Sequence, residues 1–166
     1  MDELEKQLQD LLGATSDYQD EALPEALHQM LKVLREQIAM DVVFVAQIAD
    51  GRRSFVAVDS APGRDLIRPG MSDPVEQSWC HHIVDGRLPM LIRDGRPLVE
   101  SGQVPQPPFE IGTYLSVPVV LANGSVYGTL CAFSFQVDEE ASESDVTHLK
   151  AVARLVSQQI EADKAS

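Results

Sequence analysis

Thr113-Tyr-Leu-Ser-Val-Pro-Val-Val-Leu121, then Ala122-Asn-Gly124, then Val126-Tyr-Gly-Thr-Leu-Cys-Ala-Phe-Ser-Phe135, is the stretch that decides the architecture of this chain of 166 residues. Leu115, Val117, Val119 and Leu121 alternate with Tyr114, Ser116 and Pro118, the two-residue period of a strand with one strongly apolar face. Ala122-Asn123-Gly124 turns the chain and the second apolar run returns beside the first, so the pair reads as a β-hairpin.

Downstream, Ser142 with Asp145 resembles a capping box, and Val146, Leu149, Val152, Val156 and Ile160 mark a helix that reaches the C-terminus. Upstream, Val42 to Ile48 and Ser54 to Val58 are strand-like and flank the turn tetrad Asp50-Gly51-Arg52-Arg53. Pro62 to Asp73 reads as loop. Helical spacing returns with Val75, Trp79 and Ile83 and closes at Asp85-Gly86, and Pro89 to Ile92 forms a short strand. A proline-rich connection, Val104-Pro-Gln-Pro-Pro108, leads into the opening hairpin.

Before all of this, Leu23, Leu27, Leu31, Leu34 and Ile38 form one helical stripe that runs to about Met40, with Pro24 tolerated in the first turn. Leu4, Leu8 and Leu11 give a shorter acidic amphipathic helix over Asp2 to Leu12, stopped by Gly13. The expected organisation is an N-terminal helix and linker over 1–20 and one domain over 21–166. Short hairpin connections imply an antiparallel sheet, so the fold class is α+β: about six strands, terminal helices on one face, loops and short helices on the other.

The net charge is −13, which repels phosphate backbones and anionic lipid, so neither nucleic acid nor a membrane surface is an expected partner. Cys80 and Cys131 form no C-x-x-C, and nothing resembles a signal peptide or a membrane span; a cytoplasmic location is expected. No phosphate-binding glycine loop, nucleophile elbow or H-E-x-x-H is present. Cys80, His81 and His82 look like a metal or haem cluster, but successive helical side chains diverge by about 100° and cannot converge on one ion.

Two strings carry a resemblance. Ser78-Trp-Cys-His-His-Ile-Val-Asp-Gly-Arg-Leu-Pro89 with Leu91-Ile-Arg-Asp94, and Gly112-Thr-Tyr-Leu-Ser-Val-Pro-Val119 with Tyr127-Gly-Thr-Leu-Cys-Ala-Phe-Ser134, are similar to the inner helix, following strand and central hairpin of GAF domains. The resemblance spans roughly Ala22 to Glu161. It is nearest in character to bacterial GAF domains that precede diguanylate cyclase (GGDEF) or phosphodiesterase (EAL) modules, or that stand alone. It implies a six-stranded antiparallel sheet, a regulatory small-molecule pocket, and a homodimer formed through the terminal helices, with a GGDEF/EAL or kinase output domain as a further partner.

Within that family, bilin attachment implies a cysteine ahead of the central strand, and this chain has none between Asp85 and Val120. The free methionine sulfoxide reductases use thiols in the loop that here reads Glu100-Ser-Gly-Gln-Val-Pro-Gln-Pro-Pro-Phe-Glu110, so the nucleophile of that reaction is missing. Phe135-Gln-Val-Asp-Glu139 matches the family's cyclic-nucleotide signature only in part. Neither a catalytic role, a metal nor a covalent chromophore is therefore expected.

The candidate ligand-binding residues are Tyr114 and Ser116 on one strand, Thr129, Cys131 and Phe133 on the next, and Trp79, Cys80 and Asp94 beside them. Together they make an apolar face with a few hydroxyl handles, the usual composition of a small-molecule site. The competing readings are a dry core in a ligand-free dimerisation module and, for Cys80, an inert buried thiol. The leading expectation is a sensor that reports ligand occupancy through its terminal helices.

Overall fold

The computed structural model describes residues 23–63, 67–75, 78–86, 88–104, 107 and 110–165. The acidic helix expected over 2–12 and the boundary at residue 20 lie outside them. Helix α1 (Leu23–Ile38) buries Leu27, Met30, Leu31, Leu34 and Ile38, as its stripe requires. It stops at Ala39, which turns left-handed (φ 56°) and returns its N–H to the Arg35 carbonyl at 2.8 Å.

Strands β1 (Val42–Ala49) and β2 (Arg52–Ser60) are joined by Asp50 and Gly51 alone. Both carry positive φ, 56° and 74°, the mirror-image turn whose twist suits a two-residue hairpin. The turn is therefore shorter than the expected tetrad, and Arg52 and Arg53 belong to the strand. A register shift opposite Val45/Ala46 then sends Phe55 and Ala57, two residues apart, into different cores.

The segment read as loop as far as Asp73 ends in a strand, β3 (Ser72–Pro74), paired with Arg52 to Ser54. Its lack of apolar alternation hid it, because an edge strand is held by backbone bonds and polar side chains. Helix α2 (Trp79–Val84) starts later than the spacing from Val75 suggested, since Ser78 caps it by accepting the His81 N–H at 3.3 Å. After β4 (Leu91–Ile92) comes a five-residue helix, α3 (Arg96–Glu100), which the pattern did not announce. Strands β5 (Thr113–Val120) and β6 (Val126–Ser134) form the expected hairpin, and α4 (Glu143–Ala165) follows. Its entry is fixed by the Ser142 N–H donating to Asp145 at 3.0 Å.

The strands lie in the order β3-β2-β1-β6-β5-β4, each antiparallel to its neighbours. Helices α1 and α4 cover one face, where Leu31, Leu34, Leu149, Val152 and Val156 pack on Val43, Val45, Leu115, Val117 and Leu130. The other face carries Val42, Phe44, Tyr114, Cys131 and Phe133 and is covered by α2 with Ile67, Val104 and Ile111. The fold is thus α+β with helices and loops divided between the faces of a six-stranded sheet.

Candidate functional site

Alternation along β5 and β6 places Tyr114, Cys131 and Phe133 on the face turned away from α1 and α4, and α2 sets Trp79 and Cys80 against them. The Trp79 and Tyr114 rings are centred 5.3 Å apart, and the Tyr114 and Phe133 rings stack at 6.3 Å. Ser116 lies opposite Cys131 in register, with Oγ 3.2 Å from the sulfur. The Cys131 thiol donates to Thr129 Oγ1 at 3.3 Å. Seven of the eight candidates therefore meet in one buried cluster.

Asp94 is the eighth and is not brought in. Its carboxylate faces the surface, where it accepts from the Arg96 side chain at 2.9 and 2.8 Å and from the Arg96 backbone at 3.1 Å. Those bonds hold its carboxyl below the usual carboxylate range.

The residue that sequence reasoning missed is Arg53. Assigned to a turn, it instead sits on β2 in register with Asp73 of β3, and its side chain is only 12% exposed. Nε and Nη2 grip the two Asp73 oxygens at 3.0 and 2.6 Å, a fork-on-carboxylate geometry. The guanidinium carbon lies 4.8 Å from the centre of the Phe55 ring and 5.7 Å from that of Phe44. Nη1 is left to point at the Cys80 sulfur, 3.6 Å away. The one available signal was the Asp50-Gly51 dipeptide, whose preference for two-residue turns puts Arg53 inside the strand.

Two polar runs therefore enter an otherwise aromatic interior, one from Asp73 through Arg53 to Cys80 and one joining Ser116, Cys131 and Thr129. The Cys80 thiol also reaches Ser78 Oγ at 3.5 Å. Its ionisation is pulled well below the usual thiol range, first by the neighbouring Cys131 and then by the Arg53 charge and Ser78, against the cost of burial. Cys131 moves the other way: burial raises it, and so does its position beside Cys80. Burial likewise pushes Tyr114 up. Burial opposes the Arg53 charge, but Tyr114, Asp73 and Cys80 outweigh it and keep the guanidinium protonated.

The Tyr114 hydroxyl ends in this interior with the Cys131 sulfur beside it and no well-formed hydrogen bond, although the residue is only 2% exposed. Such an atom costs roughly 1–3 kcal/mol and calls for a reason.

Cys80 and His81 diverge as the helical angle demands, Cys80 inward and His81 outward to Asp85 at 3.3 Å. Among the described residues no three His, Cys, Asp or Glu side chains are grouped to hold a metal ion, and no helix is long and apolar enough to cross a membrane. A shallow groove of about 270 Å³ lies on the helix side of the sheet, lined by Met90, Pro118, Val120, Lys150, Ala153 and Arg154.

Among solved structures, the GAF domain of an Acinetobacter phosphoenolpyruvate-protein phosphotransferase is similar over 99% of this chain and 97% of its own, at 16% identity and a TM-score of 0.74. The phycocyanobilin-bound GAF domain of a cyanobacterial phytochrome matches over 96% of each chain, at 12% identity and 0.67. A type II free methionine-R-sulfoxide reductase from Thermoplasma acidophilum matches over 84% of this chain and 93% of its own, at 16% identity and 0.64. No curated protein matches the sequence. The family model for the GAF domain matches residues 22–160, nearly the whole of the sheet and its flanking helices, so the chain belongs to the GAF domain family.

Proposed function

We infer that this domain is a regulatory sensor that binds a small molecule between the sheet and α2, and reports its occupancy through α1 and α4. The observation that carries this reading is the Tyr114 hydroxyl, a buried donor without a good acceptor amid Trp79, Phe133 and the thiols. A compact, largely flat ligand with one hydrogen-bond acceptor would satisfy it and stack on the same rings. Trp79, Cys80, Ser116, Thr129, Cys131 and Phe133 would line the site, with Arg53 at its β2 edge and Asp94 outside.

A route to the helices exists in the strands themselves. The hairpin that carries Tyr114 and Cys131 is tied to α4 by Ser157 Oγ, which donates to the Val120 carbonyl at 2.6 Å, and by Glu161, which accepts the Ala122 N–H at 3.2 Å. A ligand that binds one hairpin position better than another therefore biases α4. An output module of GGDEF/EAL or kinase type would read that bias, in a cytoplasmic protein.

The apolar stripes of α1 and α4 are already buried within the domain, so a homodimer would draw on Leu4, Leu8 and Leu11. A monomeric mass in light scattering at micromolar concentration contradicts the dimer without touching the ligand reading. The ligand reading is tested by a thermal-shift screen of nucleotides, amino acids, tetrapyrroles and aromatic acids. A true ligand at a hundredfold its Kd adds about 2.7 kcal/mol, and the gain shrinks in Tyr114→Phe. The second reading, a ligand-free dimerisation module, draws on how completely these side chains fill their own face, Cys80 and Cys131 at 0% and Phe133 at 1% exposure. A gain equal in Tyr114→Phe and wild type would place the ligand elsewhere.

A further inference from the structure

The two cysteines are about fifty residues apart in sequence, yet α2 and β6 bury both completely in the second core, close enough for each to perturb the other's ionisation. Both are free thiols. Equally buried, they differ in the charge beside them. Cys80 faces a guanidinium at 3.6 Å and a serine hydroxyl at 3.5 Å, while Cys131 faces two neutral hydroxyls, Ser116 and Thr129. We propose that Cys80 and Cys131 are a dithiol–disulfide couple through which hydroperoxides modify this domain, Cys80 attacking and Cys131 resolving.

The Cys80 thiolate attacks one oxygen of the peroxide, the O–O bond breaks, and the departing alkoxide or hydroxide takes a proton and leaves as alcohol or water. Cys80 is then a sulfenic acid. The Cys131 sulfur attacks it, the S–S bond forms as the S–O bond breaks, and the Cys131 proton leaves with the hydroxide as water. Two thiols and one peroxide give one disulfide, one alcohol or water, and one further water. A small dithiol reverses the change by exchange.

Arg53 is the positioning residue for the first step, since its guanidinium lies 3.6 Å from the Cys80 sulfur, where its charge favours the thiolate over the thiol, while Asp73 holds Arg53 in place. The Asp73 end of that pair is 31% exposed and lies at the sheet edge. The cross-link would tie α2 to a central strand, beside the single tryptophan, Trp79. This redox input requires no ligand and does not rest on the sensor reading above.

The test uses the reduced, folded chain treated with one equivalent of hydrogen peroxide. The expected result is loss of both titratable thiols, an intact mass lower by two hydrogens, a peptide cross-linking Cys80 to Cys131, and a change in Trp79 emission, all reversed by dithiothreitol. In Cys131→Ser, dimedone should trap a sulfenic acid at Cys80; in Cys80→Ser it should trap none. Arg53→Gln should slow the oxidation about tenfold and Arg53→Lys should restore most of it. The proposal is overturned if both thiols survive peroxide in the folded chain and react only in denaturant. It is equally overturned if the disulfide joins two chains, or if Cys131 is the sulfur that dimedone traps.

Discussion

Arg53 and Asp73 face each other in register across β2 and β3, and their guanidinium and carboxylate meet through two bonds at 3.0 and 2.6 Å above the rings of Phe44 and Phe55. This pair fastens the three-residue edge strand β3 and aims the remaining Arg53 nitrogen at Cys80. Removing one partner strands a mostly buried charge, whereas removing both does not. Asp73→Leu should cost about 2 kcal/mol, below the range for fully buried pairs because Asp73 keeps some solvent, and Arg53→Met with Asp73→Leu should cost less than the single change. Urea unfolding of the two singles and the double checks the order.

The Tyr114 hydroxyl gives a prediction of the opposite sign. Tyr114→Phe removes a buried donor that lacks a well-formed bond and keeps the ring against Trp79 and Phe133, so the unliganded chain should become more stable by about 1 kcal/mol. Thermal and chemical unfolding read this directly. A loss of similar size would mean that the hydroxyl is already well satisfied.

The thiols should titrate apart, with a definite effect on stability. Cys80 ionises more readily in the folded chain, so between its lowered value and the ordinary 9.0 the unfolded state holds more protons. Across that window wild-type stability should rise with pH relative to Cys80→Ser, and the advantage should vanish as pH falls through the lowered value. Raised groups act the other way: the contribution of Cys131 is complete below 9.0, that of Tyr114 below 10.0, and both are lost as pH climbs. Unfolding series at stepped pH for wild type, Cys80→Ser and Cys131→Ser resolve the two signs.

Gly128 on β6 lies against β1, and a Cβ there would run into the Ala46 carbonyl oxygen. The strands must therefore part to admit even a methyl group. Gly128→Ala should destabilise by at least ~2 kcal/mol, in the range of overpacked cores, and should loosen amide exchange along β1 and β6 first.

The elements most legible in the sequence were those that bury a periodic face. Leu115, Val117 and Val119 announced the helix-covered side of β5, and Leu27, Leu31 and Leu34 announced α1, because burial against a partner imposes the period. β3 and α3 carry no such imprint. Ser72–Pro74 is held by backbone bonds and by Arg52 and Arg53, and Arg96–Glu100 buries no side chain completely. Tyr114, Ser116, Thr129, Cys131 and Phe133 could be placed together by alternation alone, and Trp79 and Cys80 by the helix facing them. Arg53 could not, since its burial depends on a partner twenty residues away, Asp73, in a stretch without pattern.

Hydrogen exchange on the folded chain, with and without a compound selected by thermal shift, tests the sensor reading most directly. Binding should protect amides in α2 and around Tyr114 and, through the Ser157 and Glu161 bonds, also change exchange in α4; Ser157→Ala should keep the first effect and diminish the second. A bound compound that protects α2 and β5 but leaves α4 unchanged, or that protects only the groove beside Lys150 and Arg154, would contradict it.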